Sequence, residues 1–218
     1  MHRTGRHRPA PLAVGFAAIV AAVLVGSSAD ATNDRAVLVL HALPASVGAT
    51  CGSPGIADFD CSSPAAVSVV GGELLDIFLI VHDFDDMSAL QCRFLWDLSW
   101  TFHSWQENCG GNQIVISTVQ GPVSWELVTA FDPITRVAGA APIGRLRFTS
   151  GAASCLTIGE STNPFGTHLV SADAVTVTPV PEARRGAVCA DRPGIDGCGL
   201  GTAFQRTSWG AIKAGYDP

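Results

Sequence analysis

Residues 36–178 are a succession of short apolar and β-branched runs separated by Gly, Pro, Ser, Asp and Asn. Runs of this length between turn-forming residues are typical of β-strands, and no helical period is sustained across them. They predict an all-β fold, a two-sheet antiparallel β-sandwich of the jelly-roll type with about nine strands. The predicted strands are residues 36–41, 65–70, 74–81, 89–96, 100–105, 113–119, 123–130, 143–149 and 174–178, with 155–158 and 167–170 as shorter candidates.

Two of these runs indicate how a strand would sit in such a sandwich. In residues 143–149, Leu146 and Phe148 share one face while Arg145 and Arg147 share the other, which predicts one face in the core and one in water. Residues 74–81 are apolar on both faces except at Asp76, which predicts a central strand covered on both sides.

The N-terminal residues have the pattern of an export signal. Arg3, Arg6 and Arg8 precede an uncharged apolar stretch over residues 12–26, and Ala29-Asp30-Ala31 matches the small-x-small pattern that signal peptidase cleaves. We therefore expect residues 1–31 to be a helical signal peptide and the chain to be exported to the extracellular space, the cell surface or the periplasm. Residues 32–180 would form the sandwich domain. Residues 181–218, which begin at the second of two nearby prolines and are rich in Gly, would form an irregular cysteine-clipped C-terminal tail.

The charge balance argues against two classes of partner. The chain has 13 Lys and Arg against 19 Asp and Glu, a formal net charge of -6, and its one lysine is Lys213. We therefore expect neither nucleic acid nor an anionic membrane surface as a partner. No apolar stretch after the leader reaches the roughly 18 residues that a membrane span needs, so we expect no span after signal cleavage.

All seven cysteines lie beyond the leader, and an oxidising compartment favours disulfides over metal ligation. Two pairs that bracket turn-rich loops, Cys51–Cys61 and Cys189–Cys198, are predicted to form local bridges. A third pair, Cys109–Cys155, lies in separate loops and is predicted to form a long-range bridge, with Cys92–Cys109 as a rival pairing.

Cys92 is the candidate free thiol. It shares its strand face with Leu90, Phe94 and Trp96, so it is expected to be buried as a small hydrophobe. The absence of a Cys-x-x-Cys motif from the sequence, together with scattered histidines, argues against zinc.

Residues 82–86, His-Asp-Phe-Asp-Asp, are the densest polar cluster in the sequence. Asp83, Asp85 and Asp86 are candidate calcium ligands because calcium prefers oxygen donors, but their spacing is not that of an EF-hand loop. The interpretation that we favour is an acidic, solvated turn between two strands. No other metal and no cofactor is expected.

The tryptophans suggest either a core or a stacking surface for sugar rings. Trp96, Trp100 and Phe102 share the face that holds the core residues of the preceding strand, so we expect them to be buried. Trp105 falls on the opposite parity beside His103. Trp105 and His103 are therefore the candidate ligand-binding residues.

Several of these segments resemble cohesin-like domains, β-sandwiches of the carbohydrate-binding-module and cohesin type. The resemblance is carried by residues 72–81 (Gly-Glu and then an apolar strand), by residues 89–97, which end in Trp-Asp, and by the later strands at residues 143–148 and 173–177. It covers about half of the chain beyond the leader. The resemblance implies a nine-strand jelly-roll sandwich and, by analogy, a role in binding.

The sequence thus favours a secreted or cell-surface module, binding or structural, that contacts a protein or a glycan and has no catalytic activity. One alternative is a small exported hydrolase with a site drawn from His82, Asp83, Asp85 and His103, although the sequence has no nucleophile elbow or triad spacing. Another is a surface-attachment protein that acts through the tail.

Overall fold

The structure, a computed structural model, describes residues 33–61, 68–109, 113–195 and 198, all within one compact unit, Ala31–Pro218. Ten strands and two 3-10 helices, Ala45–Val47 and Glu182–Arg184, occupy these residues, and they contain no α-helix. The prediction of an all-β sandwich is confirmed. The strands are β1 (Val37–Pro44), β2 (Ser68–Val69), β3 (Leu74–Leu95), β4 (Thr101–Asn108), β5 (Ile114–Gly121), β6 (Ser124–Thr149), β7 (Cys155–Gly159), β8 (His168–Val170), β9 (Val177–Pro179) and β10 (Ala187–Ala190).

Two long strands form the centre of the fold. β3 has 22 residues and β6 has 26, and they pair antiparallel along almost their whole length. Near the middle Phe84 pairs with Gly139 and Asp86 with Thr135, so three residues of β6 lie opposite one residue of β3. Bulges of this kind bend and twist a strand, and they let each long strand belong to both layers of the sandwich.

The first layer consists of β1, the N-terminal half of β3, the C-terminal half of β6 and β4. The second layer consists of β5, the other halves of β6 and β3, then β7, β10 and β2, with β8 and β9 beside β7 along β3. One hydrophobic core fills the space between the layers. Ile77 and Phe148 belong to it from the first layer, and Phe94, Leu127 and Leu156 from the second.

The outer face of the first layer is also covered. Residues 45–61, the cover segment, lie over it and place Ile56 and Phe59 against Val39, Phe78 and Ile80 of β1 and β3 in a second hydrophobic cluster. Both faces of the N-terminal half of β3 are therefore buried, which confirms the prediction of a central strand covered on both sides.

The cysteines pair differently from the three predicted bridges. The structure contains Cys51–Cys109, Cys61–Cys198 and Cys155–Cys189 instead of Cys51–Cys61, Cys109–Cys155 and Cys189–Cys198. The first two bridges hold the cover segment to the end of β4 and to the chain after β10, and the third joins β7 to β10 at directly opposed positions. Cys92 lies in the main core outside these bridges, so the rival Cys92–Cys109 pairing is also absent from the structure. Proximity along the chain misled the prediction, because the two cysteines of one loop pair with two distant and separate parts of the chain.

The alternation of residues 143–149 predicted that the arginine face of β6 lies in water. In the structure both arginines of this face bind a buried carboxylate. Asp76 on β3 is 1% exposed and accepts hydrogen bonds from Arg147 Nε and Nη2, at 2.8 and 2.9 Å, and from Arg145 Nη1, at 3.1 Å. These hydrogen bonds raise the pKa of Arg147. Arg145 Nη1 also donates to the carbonyl of Ala49, at 2.9 Å, so this ion cluster connects the sheet to the cover segment.

Several strand boundaries differ from the prediction. The runs at 74–81 and 89–96 are one strand, and so are those at 123–130 and 143–149, because bulges rather than turns separate them. Residues 187–190, predicted to lie in an irregular tail, form β10, which pairs antiparallel with β7 and parallel with β2, so the sheet is mixed rather than wholly antiparallel.

Three expectations fall wholly or partly outside the described residues. The signal peptide, residues 1–31, and the end of the tail, residues 199–218, are not described, nor are residues 65–67 of the second predicted strand. Within the described ranges no helix is both long and apolar enough to span a membrane.

Candidate functional site

An exposed apolar strip runs along the outer face of the second layer at its β9 edge. It consists of Phe165, Val175, Val177 and Pro179, and we call it the apolar strip. Phe165 is 79% exposed and Val175 is 75% exposed, values far above those of core residues. Single exposed apolar side chains are ordinary, but a contiguous set on one face is typical of a contact surface.

The alternation of β9 and its flanking turn places these side chains together. Residues 175, 177 and 179 share a parity and face outward, whereas Thr178 between them is buried toward the core. β9 pairs with β8 so that Pro179 lies opposite His168, and the ring of Phe165 meets the ring of His168 edge to face at 6.0 Å. The strip therefore extends from Phe165 past Pro179 to Val175.

The loop that carries Phe165, residues 160–167, is anchored on two buried polar side chains of the second layer. Glu126 of β6 accepts hydrogen bonds from Ser161 Oγ at 2.8 Å and from the N–H and hydroxyl of Thr162 at 2.9 and 2.7 Å. Gln91 of β3 donates through Nε2 to the carbonyls of Pro164 and Gly166, at 3.1 and 2.8 Å. Because Gln91 and Glu126 are themselves buried, the loop is held to the sheet by hydrogen bonds that water scarcely reaches.

A second set of contacts closes the base of the same loop. Glu160 accepts a hydrogen bond from the N–H of Thr167 and pairs with Arg185, which in turn donates from Nε to the carbonyl of Val180 at 2.8 Å. Burial alone would raise the pKa of Glu160, but the hydrogen bonds from Thr167 and Arg185 outweigh it and hold this pKa below its ordinary value. The carboxylate is therefore ionised and fixes both ends of the loop.

The backbone at both ends of the strip is in a conformation that side chains rarely adopt. Phe165 has φ 74° and Ala174 has φ 58°, in the left-handed region that usually favours glycine. Gly166 follows with φ 66°, a conformation that favours glycine, and a Cβ there would displace Glu160 Oε1, which lies 1.8 Å from its position. Non-glycine residues in this region persist only where the surroundings enforce it, and they concentrate at functional sites.

Among the described strands β9 pairs with β8 alone, and its other edge is poorly suited to pairing with a further strand. Ser171 N donates to Thr176 O and Val180 N donates to Thr167 O, each at 2.9 Å, so the backbone of residues 175, 177 and 179 points away from β8. Pro179 has no N–H, and the N–H of Val175 already donates to Asp173 Oδ1 at 2.9 Å. A partner would therefore meet the side-chain face of the strip rather than extend the sheet.

The predicted ligand-binding pair, Trp105 and His103, does not form a joint surface. A bulge between Phe102 and Ser104 reverses the parity, so Trp105 faces the core and its ring contacts that of Trp125 at 5.2 Å. His103 remains exposed, and its Nε2 lies 2.8 Å from Thr149 Oγ1. The expected burial of Trp96 and Trp100 is confirmed.

The three candidate calcium ligands lie within β3 at its central bulges, not in a turn between two strands. Asp86 accepts a hydrogen bond from the N–H of Ala172 at 3.1 Å, Asp85 lies 3.8 Å from Arg35, and Asp83 lies 3.6 Å from the buried His82. Within the described ranges, no three His, Cys, Asp or Glu side chains are arranged as a metal-ligand set.

The residues considered for a hydrolase are likewise not assembled into one site. His82 pairs with Ala140, whereas His103 lies near Thr149, which pairs with Leu74 at the start of β3. Eight residues of strand separate these two registers, which corresponds to about 26 Å at the usual rise. A shallow groove of about 500 Å³ lies elsewhere, lined by Pro44, Ala45, Ser46, Glu73, Leu74 and Arg147.

Sequence reasoning passed over the apolar strip. The signals were present: residues 174–178 were predicted as a strand, and Val175 and Val177 are two residues apart on it. The turn Asn163-Pro-Phe-Gly166 places an aromatic residue directly before a glycine. What sequence alone did not indicate is which face of this strand lies outward, because that depends on β8.

No protein-family model matches the chain, and no curated protein matches it significantly. Among solved structures, a cohesin module from a family 33 glycoside hydrolase of Clostridium perfringens matches with a TM-score of 0.42 and 8% identity over 56% of this chain and 86% of that one. A type I cohesin–dockerin complex from Clostridium thermocellum matches with a TM-score of 0.42 and 8% identity, over 57% and 93% of the two chains. A non-cellulosomal cohesin from Archaeoglobus fulgidus matches with a TM-score of 0.40 and 8% identity, over 52% and 78%. The cohesin-like resemblance predicted from the sequence is confirmed as a weak one.

Proposed function

We propose that this chain is an exported binding module that contacts another protein through the apolar strip. The observation that carries the proposal is the pairing of an exposed apolar surface with a buried polar support. Glu126 and Gln91 bind the loop through hydrogen bonds, and Phe165 is exposed on it in a left-handed conformation. An aromatic side chain has only two rotatable bonds and so loses little conformational entropy on binding, which is why such side chains are frequent anchors of interfaces.

The chemistry of the strip favours a protein over a glycan. Its four side chains are aromatic or aliphatic and carry no hydrogen-bonding group, whereas a sugar needs polar partners for its hydroxyls. A partner protein supplies apolar side chains that bury this surface. The three disulfides support export, since such bonds persist in oxidising compartments.

Site-specific photocross-linking on the oxidised full-length chain tests this proposal. A photoreactive phenylalanine analogue replaces Phe165 in one variant and Leu98, an equally exposed residue in a different loop, in the control. The chain is incubated with exported proteins of its source, and the cross-linked partner is identified and purified. We expect a cross-link from position 165 and none to the same protein from position 98.

Titration of the purified partner then measures the contribution of the strip. The variant Phe165→Asn with Val175→Thr and Val177→Thr keeps the backbone, because Asn tolerates the left-handed region, but removes the apolar surface. We expect binding to weaken by more than about tenfold, since the loss of interface anchors has effects of this size. The matched control is Leu98→Asn with Ile114→Thr, which also removes exposed apolar side chains. Equal binding by the strip variant and the wild type, or capture of a glycan in place of a protein, would refute the proposal.

A further inference from the structure

We infer that the partner of the apolar strip is a polypeptide segment that carries Lys or Arg beside its apolar side chains. The inference rests on the proposed function and adds the charge of the partner. It is based on the strong difference in charge between the two ends of the strip.

The turn that carries Val175 is attached to residues 83–86 of β3, which contain three aspartates and which we call the acidic segment. The N–H of Ala172 donates to Asp86 Oδ1 at 3.1 Å, and Ser88 Oγ donates to the carbonyl of Ser171 at 2.7 Å. Asn33 joins the two, because its Nδ2 donates to the carbonyl of Asp86 at 2.7 Å and lies 3.3 Å from Ser171 Oγ. These contacts place the Val175 end of the strip beside the acidic segment.

Carboxylates far outnumber cations at this end. Two arginines lie at this end of the described chain: Arg35, which is 3.8 Å from Asp85, and Arg136, which lies on β6 in the bulge opposite Asp85. Six carboxylates belong to the same segments or lie opposite them on β6: Asp34, Asp83, Asp85, Asp86, Asp132 and Asp173. Asp83 and Asp85 have side chains that are 41% and 36% exposed, so their charge acts on a molecule that approaches from solvent.

The Phe165 end, in the part of the chain that the structure describes, has no comparable excess of charge. Its two carboxylates each lie beside an arginine: Glu160 pairs with Arg185, and Glu126 Oε1 lies 3.6 Å from Arg93 Nε. A partner with apolar side chains at one end and basic side chains at the other is therefore complementary to the strip in both respects, and complementary charge improves specificity and the association rate.

Two synthetic peptides probe the inference on the oxidised full-length chain. They share the same apolar residues and differ only in carrying three lysines or three glutamates. Binding is measured by fluorescence anisotropy at low and at high salt. We expect the lysine peptide to bind at least about tenfold more tightly at low salt and to lose most of this preference at high salt.

Charge-neutral variants locate the effect. Asp83→Asn, Asp85→Asn and Asp173→Asn together remove three charges while keeping shape, and Asn tolerates both the left-handed backbone of Asp83 and the turn role of Asp173. The control variant, Asp58→Asn with Glu73→Gln and Asp97→Asn, removes the same charge elsewhere. We expect the first variant to lose most of the preference for lysine and the control to retain it.

The inference fails if the two peptides bind equally, if neither binds at millimolar concentration, or if both charge variants behave alike. The proposed function is tested separately by the strip variant. If the strip variant loses the natural partner while charge has no effect, the proposed function stands and the inference is overturned. If the strip variant retains the partner, the proposed function fails.

Discussion

Replacing Asp76 by Asn should destabilise the fold strongly although the change is nearly isosteric. The carboxylate is almost completely buried and accepts three hydrogen bonds from Arg145 and Arg147, whose side chains are 12% and 29% exposed. Asn removes the charge and turns an N–H₂ group toward one of the guanidinium groups. Breaking a buried ion pair on one side costs about 3–5 kcal/mol, and the partial exposure of Arg147 favours the lower end, about 3 kcal/mol.

Urea unfolding of the oxidised chain measures this effect. With a slope of about 2 kcal/mol per molar urea, a loss of about 3 kcal/mol lowers the midpoint by about 1.5 M. Asp97→Asn is the control, because Asp97 is exposed and accepts a hydrogen bond from the N–H of Ser99 in its own turn. Hydrogen exchange should also rise in residues 45–61, since Arg145 holds the carbonyl of Ala49.

The result that would refute this reasoning is a midpoint for Asp76→Asn no lower than that of Asp97→Asn. A second variant separates charge from packing: Asp76→Leu with Arg145→Met and Arg147→Met replaces the whole cluster by apolar side chains. Because removing a buried ion cluster completely avoids unpaired charge, this variant should recover much of the lost stability.

Three further predictions concern single positions. Cys92 is buried, and burial raises the pKa of its thiol. We therefore expect a thiol reagent to leave the native oxidised chain unmodified and to label one cysteine after unfolding. Rapid labelling of the native protein would contradict this. Burial lowers the pKa of His41 below 6.5, so the unfolded chain takes up the proton more readily than the folded chain. The free energy of unfolding should therefore be highest above about pH 6.5 and should decrease as the pH falls below that value. Denaturation midpoints measured across pH should decrease less in His41→Gln. Gly144→Ala should lower the thermal midpoint, because its Cβ would lie 2.0 Å from the ring of Trp105, whereas Gly52→Ala, with open space around it, should not.

The class of fold was predictable from the sequence because alternation and turn residues are local signals. The core positions of residues 74–81 follow from their apolar character on both parities, and the buried tryptophans follow from shared parity. These inferences needed only the backbone geometry of a strand.

The errors arise where a bulge or a distant strand decides the outcome. One bulge between Phe102 and Ser104 changes the face on which Trp105 lies, and those of β3 turn a predicted acidic turn into a continuous strand. A bulge adds a residue without a reliable sequence signal. β10 was missed because four small residues in a Gly-rich region gain strand structure only through β7 and β2.

The apolar strip belongs to the same class of features. Its residues could be read as a strand, but their exposure depends on how β9 sits beside β8, and the support of Phe165 depends on Glu126 and Gln91, which are far away in sequence. Neither relation has a local pattern.

The disulfide connectivity has a consequence for how the chain matures. Cys61 pairs with a cysteine 137 positions later, and Cys51 with one 58 positions later, so both emerge during synthesis long before their partners. The first thiol that each of them can meet is the other, and a bridge between them would have to be reshuffled once Cys109 and Cys198 arrive. Correct maturation therefore depends on a compartment that exchanges disulfides as well as forming them, and a host that only oxidises should accumulate a species with Cys51 joined to Cys61.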